Sequence, residues 1–205
     1  MALRGDAAVF LDRDGTLVED LPFNVDPARA QFTSDALLAL RAMADSGFAI
    51  VVVTNQPGVA TARFTEAELQ HFHDALRSRI REEAGVEVLG IYACPHAPDP
   101  RGRPQCKCRK PEAGLLRHAA SLHGLDLKRY WMIGDILDDV EAGHRAGCRS
   151  VLLDVGHETR WHLTPPRQPE FRCTTLLEAA QVVVAHRRMP PRRCVAYLRH
   201  RRSRP

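Results

Sequence analysis

Two aspartates, Asp12 and Asp14, stand one residue apart where the apolar run Ala7-Ala8-Val9-Phe10-Leu11 gives way to Gly15-Thr16. An unbroken run of this kind reads as a strand buried on both faces of a parallel sheet. Its end therefore delivers carboxylates to the rim of that sheet. Thr54 and Asn55 follow the apolar run "FAIVVV", Asp135 follows "YWMIG", and Lys110 lies in the loop after a further strand-like segment. Carboxylates converging on one rim repel each other unless protons or a cation compensate. Hard oxygen ligands suit Mg²⁺, which keeps several waters and binds through one or two carboxylates plus a phosphate. Beside such an ion the Lys110 ammonium, the Thr54 hydroxyl and loop amides form a set suited to a phosphate dianion. One aspartate of the pair can then attack phosphorus, forming an aspartyl-phosphate. The other can protonate the leaving alkoxide and later deprotonate water.

A second constellation is made of soft ligands. The stretch "CPHAPDPRGRPQCKC" carries Cys94, His96, Cys106 and Cys108, a C-x-H followed after nine residues by a C-x-C. Three thiolates and one imidazole make a closed tetrahedral set for structural Zn²⁺, and a polar, Pro-rich loop with no core of its own gains most from such a clip. The bland alternative is a group of reduced thiols with a solvated histidine. Arg109 and Lys110 follow directly, so zinc would fix the residues that meet the substrate. The remaining cysteines, Cys148, Cys173 and Cys194, lack comparable partners and read as buried or tail thiols.

The elements that must position these groups alternate. Strands are expected at residues 7–11, 48–53, 88–93, 130–134 and 150–155. Helices are expected in "TSDALLALRAMADSG", capped by Thr33 or Ser34, and in "FTEAELQHFHDALRSRIREEAG", where Thr65 and Glu68 form a capping box. Shorter helices are expected around Leu115, in "DDVEAGHRAG" and in "TTLLEAAQVVVAH". Strands alternating with helices imply parallel βαβ units and a three-layer, Rossmann-like α/β sheet, with ligands beyond the carboxyl ends of the strands.

At 205 residues the chain suits one substantial core. One domain is expected over residues 1–186, with 187–205 as a basic tail. No segment approaches the roughly 20 apolar residues of a membrane span, and no secretory leader is evident, so a cytoplasmic, membrane-free monomer is expected. The net charge of +4 is smaller than the eight arginines between Arg187 and Pro205, so the rest of the chain is net acidic. A solvated tail is the expectation. The rival reading is a zinc-clipped nucleic-acid-binding protein using those arginines, and nucleic acid is not the expected partner.

"DRDGT" after an apolar strand, "VVVTNQ", "CRKP" and "GDILDD", in that order, resemble the four motifs of the haloacid dehalogenase (HAD) superfamily phosphatases, over residues 9 to about 155. The resemblance implies a HAD fold and Mg²⁺ dependence. Asp12 would be nucleophile, Asp14 general acid/base, and Thr54 and Lys110 phosphoryl stabilisers. The Asp12 carboxylate, the Asp14 backbone carbonyl and Asp135 would bind Mg²⁺. The zinc loop narrows the resemblance to small capless members, and about 40 residues between the first two motifs leave no room for a large cap. "VVVTNQPGVATARFTEAEL" and "IYACPH" are more similar to the heptose-bisphosphate phosphatases than to the histidinol-phosphate phosphatases, the alternative. The expected substrate is thus a sugar bisphosphate, dephosphorylated at its 7-position on the way to nucleotide-activated heptose. Asn55, Arg109 and Asp20 would contact it. The chain departs from that pattern at Leu21-Pro22-Phe23, Thr61-Ala62 and Ile136.

Overall fold

The computed structural model describes residues 7–187. The arginine-rich tail, apart from Arg187, and Cys194 lie outside the described residues. Six parallel strands form one sheet: β1 (Ala8–Leu11), β2 (Ala49–Asn55), β3 (Val88–Cys94), β4 (Trp131–Gly134), β5 (Arg149–Leu153) and β6 (Phe171–Cys173). Their spatial order is β3-β2-β1-β4-β5-β6. Five helices connect or follow them: α1 (Ala36–Asp45), α2 (Glu66–Ala84), α3 (Gly114–His123), α4 (Leu137–Ala146) and α5 (Leu176–Ala185). The expected Rossmann-like α/β architecture is therefore present. The order reverses direction on either side of β1, which places a crevice beyond the carboxyl ends of β1 and β4.

Every residue of β1 is fully buried, as are Val51, Val52 and Val53 of β2 and Met132 and Ile133 of β4. Burial on both faces is why these strands read as continuous apolar runs. Removing one large side chain here, as in Phe10→Ala, costs about 3–5 kcal/mol through lost transfer energy and the cavity left behind. α2 starts as expected, with reciprocal hydrogen bonds between Thr65 and Glu68, and ends on Gly85 in the left-handed conformation.

Two expectations need correction. α1 is not capped by Thr33 or Ser34. Its N-cap residue is Asp35, which makes no side-chain cap bond. The Thr33 hydroxyl donates instead to the Thr16 carbonyl at 2.9 Å, tying the helix entrance to the loop after β1. The Asp35 carboxylate accepts from Leu177 N of α5 at 3.0 Å. Tertiary partners have taken both side chains. The sixth strand, only Phe171-Arg172-Cys173, lies just before the expected helix "TTLLEAAQVVVAH" and is not among the expected strands. It is too short to show a period, and it exists because β5 offers a free edge.

The segment between β5 and β6 is clasped to α4 by charge. Arg167 pairs with Asp138 and with Glu141 at 2.7 Å, and Glu158 accepts from Leu137 N at 2.9 Å. His144 and Ser150 share the Glu170 carboxylate at 3.1 and 3.0 Å. No helix among the described residues is long and apolar enough to cross a membrane.

Candidate active site

Asp12 continues the β1 ladder, its amide donating to the Ile133 carbonyl of β4 at 2.9 Å, so its carboxylate stands in the crevice between the two strands. Lys110 reaches it from the far end of the cysteine-rich loop. Its Nζ lies 2.5 Å from Asp12 Oδ1, 2.6 Å from Asp139 Oδ1 and 3.0 Å from the Val53 carbonyl, and the side chain is only 2% exposed. Burial pulls the Lys110 pKa down, but the Asp12 and Asp139 carboxylates outweigh it and hold the group above the ordinary lysine value. Lys110 is therefore a fixed cation.

Asn55 positions it. The Asn55 amide accepts from Lys110 N at 3.0 Å and donates to Lys110 O at 3.1 Å, so both ends of the side chain are engaged on that backbone.

Asp135, at the end of β4, and Asp139, on the first turn of α4, complete an acidic cluster with Asp12. One carboxylate oxygen from each lies within 4.8 Å of the others. Burial, with the Asp12 charge beside it, pushes Asp135 up to about 8. Burial raises Asp139 well above the usual carboxylate range against the pull of Lys110. Three buried acids facing one ammonium remain short of positive charge. Asp139 Oδ1 also receives no aligned hydrogen bond despite its nearness to Lys110. This donor set fits a hard divalent cation.

Asp139 was not singled out from the sequence, although it stands in "GDILDD". Two adjacent acids there look alike until α4 turns Asp139 inward and Asp138 toward Arg167. The approach also requires Gly134, because a Cβ at that position would stand 2.3 Å from the Asp139 carboxyl.

Asp14 is turned away from that cluster into a seat of its own. Arg13 donates through Nε and Nη2 at 3.0 and 2.9 Å, Gln56 Nε2 at 2.7 Å and the Thr54 hydroxyl at 3.4 Å. Arg13 is itself buried, lies 4.8 Å over the Phe72 ring, and donates to His73 Nε2 at 3.1 Å. Burial and the Arg13 charge push His73 down to about 3, so it stays a neutral acceptor. For Asp14, burial raises the pKa while Arg13 and Gln56 pull it down, and the balance is upward. Two carboxylates separated by a single residue thus occupy different environments, one against an ammonium and one in a guanidinium and amide seat.

Sequence reasoning missed Arg13, Gln56 and His73. The Arg13-Asp14 adjacency is visible in the sequence, but its burial is not.

A further contact comes from the loop after β5. His157 Nδ1 lies 2.8 Å from Asp135 Oδ2, while the Thr16 hydroxyl donates to Asp135 Oδ1 at 3.2 Å. Gly15, at φ 75°, makes room for this meeting. A Cβ there would be 2.4 Å from Asp135 Oδ2 and 2.5 Å from His157 Nδ1.

The four soft ligands also converge. Sulfur–sulfur distances are 3.5 Å for Cys94–Cys106 and 3.2 Å for both Cys94–Cys108 and Cys106–Cys108. His96 Nδ1 lies 3.5 Å from Cys94 Sγ and 3.3 Å from Cys108 Sγ. These are close to the edges of a tetrahedron around an ion bound at thiolate distances of about 2.3 Å. The loop could hold a metal.

Arg109 leaves this cluster, its amide donating to Cys106 Sγ and its guanidinium to the His96 carbonyl, each at 3.3 Å. Asp20 is not brought in: it is exposed and makes no hydrogen bond or ion pair with the cluster. Trp161 is 43% exposed on the loop after β5, with Arg172 stacked on its ring at 4.5 Å.

Known proteins resemble this chain in sequence and in fold. The family model described as polynucleotide kinase 3 phosphatase matches residues 7–140, and a HAD-hydrolase-like model matches residues 107–179. A heptose-1,7-bisphosphate 7-phosphatase of Photorhabdus laumondii, named for the α form, is 35% identical over 154 residues, covering 73% of this chain and 84% of that one. One of Haemophilus ducreyi, named for the β form, is 38% identical over 151 residues, covering 73% and 83%. The crystal structure of the D,D-heptose 1,7-bisphosphate phosphatase of B. bronchiseptica, complexed with magnesium and phosphate, superposes with a TM-score of 0.71 at 29% identity, covering 87% and 99%.

Proposed function

We propose, given that this chain belongs to the HAD-like phosphatases and within them to the heptose-1,7-bisphosphate 7-phosphatase family, that it removes the 7-phosphate of a heptose 1,7-bisphosphate, toward nucleotide-activated heptose. The observation that carries the reading is the meeting of Asp12, Asp139 and Lys110 at the end of β1, beside the separately seated Asp14.

In this reading an Asp12 oxygen attacks phosphorus while the bond to the sugar oxygen breaks, leaving an aspartyl-phosphate. Asp14, whose raised pKa favours a held proton, gives that proton to the departing alkoxide and then takes one from the water that hydrolyses the intermediate. Arg13, Gln56 and Thr54 hold Asp14 in place. Lys110, held by Asn55, absorbs charge on the phosphoryl oxygens.

The Asp12, Asp135 and Asp139 carboxylates with the Asp14 backbone carbonyl would hold Mg²⁺, which when bound offsets the acids' charge and polarises the phosphoryl group. Cys94, His96, Cys106 and Cys108 would hold Zn²⁺ as a clip for the loop that carries Arg109 and Lys110. All these groups come from one chain, which supports activity as a monomer. We assign the phosphatase unit to residues 1–186, with 187–205 as an appendage, and place it in the cytoplasm.

Phosphate release from heptose 1,7-bisphosphate, fructose 1,6-bisphosphate and histidinol phosphate tests the reading. The first should be preferred, and Asp12→Asn should abolish turnover while leaving the melting temperature near that of the parent. Preference for histidinol phosphate would overturn the substrate, and an active Asp12→Asn would overturn the nucleophile.

A further inference from the structure

In α2 the apolar residues Leu69, Phe72, Leu76 and Ile80 recur at helical spacing and are buried, and His73 is buried with them. A histidine among core residues needs a partner. His73 finds it in another side chain that ordinarily stays in water: Arg13 and Phe72 are 2% exposed and His73 3%. Consecutive residues of α2 thus serve one guanidinium, Phe72 offering the ring it lies over at 4.8 Å and His73 an acceptor for Nη1 at 3.1 Å.

All three Arg13 nitrogens are engaged, Nε and Nη2 on the two Asp14 oxygens and Nη1 on His73. A guanidinium can only donate, so His73 Nε2 accepts and the ring proton sits on Nδ1. Burial and the Arg13 charge favour the same neutral ring, pushing His73 down to about 3. A neutral ring does not compete with Asp14 for the cation's charge. What it supplies is direction.

Gln56 and Thr54 also donate to Asp14, but both to Oδ2. Among the described residues Oδ1 receives its hydrogen bond from Arg13 Nε. Those two donors alone would leave the carboxyl free to swing about Oδ2. The guanidinium is planar, so holding its Nη1 and its face fixes the line of the Nε and Nη2 donors, and with it the tilt of the Asp14 carboxyl.

We propose that His73 is a positioning residue for the acid step: through Arg13 it fixes the fork that aims the Asp14 carboxyl at the departing sugar oxygen, although it is itself too buried to meet the substrate. This rests on the phosphatase reading above. The step is the one in which the bond from phosphorus to the sugar oxygen breaks and the Asp14 proton passes to that oxygen.

The test compares kcat/KM of the full chain with Mg²⁺ on heptose 1,7-bisphosphate and on p-nitrophenyl phosphate. A sugar alkoxide needs the proton to leave. p-Nitrophenolate is a far weaker base and departs without it, and kcat/KM does not extend to the later attack of water. His73→Leu should lower kcat/KM for the sugar by about 10–100-fold, the scale of a misplaced catalytic group, and leave the aryl ester nearly unaffected. Two polar variants differing only in reach repeat the comparison without an apolar replacement. His73→Gln, whose amide oxygen reaches the position of Nε2, should recover most of the sugar activity, and His73→Asn, one bond shorter, should not. Equal losses on both esters, or parent-like hydrolysis of the sugar by His73→Leu or His73→Asn, would overturn the inference and leave the phosphatase reading standing. Absence of phosphate release from both esters by the parent would overturn the reading itself and this role with it.

Discussion

The molecule carries two clusters of metal-binding character, and they are built in opposite ways. Asp12, Asp135 and Asp139 come from two adjacent strands and a helix, elements buried in the core and held by the sheet ladder. Cys94, His96, Cys106 and Cys108 span fifteen positions, of which only Cys94 belongs to a strand. The acidic site is imposed by the fold and stays assembled at a cost, seen in the raised pKa values of Asp135 and Asp139. The thiol site lies in a Pro-rich loop that has little apolar surface to bury, so an ion bound there would supply structure instead of chemistry. Lys110 belongs to both, reaching the acidic site from the end of the thiol loop.

That contrast can be broken most sharply at their joint. Lys110→Met should abolish phosphate release. It should also destabilise the chain by about 3–5 kcal/mol, because Asp12 and Asp139 lose their buried counter-charge. A denaturation curve superposable on the parent's would show that the acids are compensated some other way.

Removing a ligand from each cluster should separate their roles. Cys106→Ser, or extraction of zinc with a chelator, should speed proteolysis within residues 95–113 several-fold and raise KM. Asp139→Asn should leave the cleavage pattern alone and weaken Mg²⁺ binding measured by calorimetry. Cleavage that is equally fast in both would erase the distinction.

His157 refines the acidic side. As a positioning group on Asp135, its change to Ala should weaken Mg²⁺ affinity about 10–100-fold, the usual range for a partner that orients a ligand. His157→Asn should retain more of that affinity. Titration calorimetry giving parent-like affinity for His157→Ala would remove it from the site.

The smallest effect is expected outside both clusters, at the His144–Glu170 pair. The Glu170 hydrogen bond raises His144 above its usual 6.5, and the His144 contact lowers Glu170 below its usual 4.5, overcoming burial. The histidine's contribution is full below pH 6.5 and fades as pH rises through its folded pKa. The glutamate's is full above pH 4.5 and fades as pH falls. The melting-temperature gap between the parent and His144→Gln should therefore be widest between about pH 4.5 and 6.5 and shrink by pH 8, with phosphate release little changed. A gap that grows with pH would contradict the pairing.

Legibility followed the same division. Asp12, Thr54 and Asp135 were readable because each ends an apolar run long enough to declare a buried parallel strand, and the rim of such a sheet is one place. The four soft ligands were readable because their spacing is local. Asp139 was not, because choosing it over Asp138 requires the phase of α4 against β4. Arg13 was not, because an arginine between two aspartates looks solvated until Phe72, His73 and Asp14 enclose it. β6 escaped for lack of length, and the α1 cap was misassigned because Thr33 and Asp35 found partners outside the helix.

What the sequence determined by itself was the alternation of strand and helix, the rim to which the acids are delivered, and the two ligand chemistries. These depend on periodicity and on neighbours a few residues apart. Only tertiary structure decided which acid faces the crevice, which donors seat Asp14, that His157 meets Asp135, and that His73 meets Arg13. Those choices depend on how separate elements turn toward one another across the sheet, and that orientation is set by packing of the whole core, not by any one segment's own preferences.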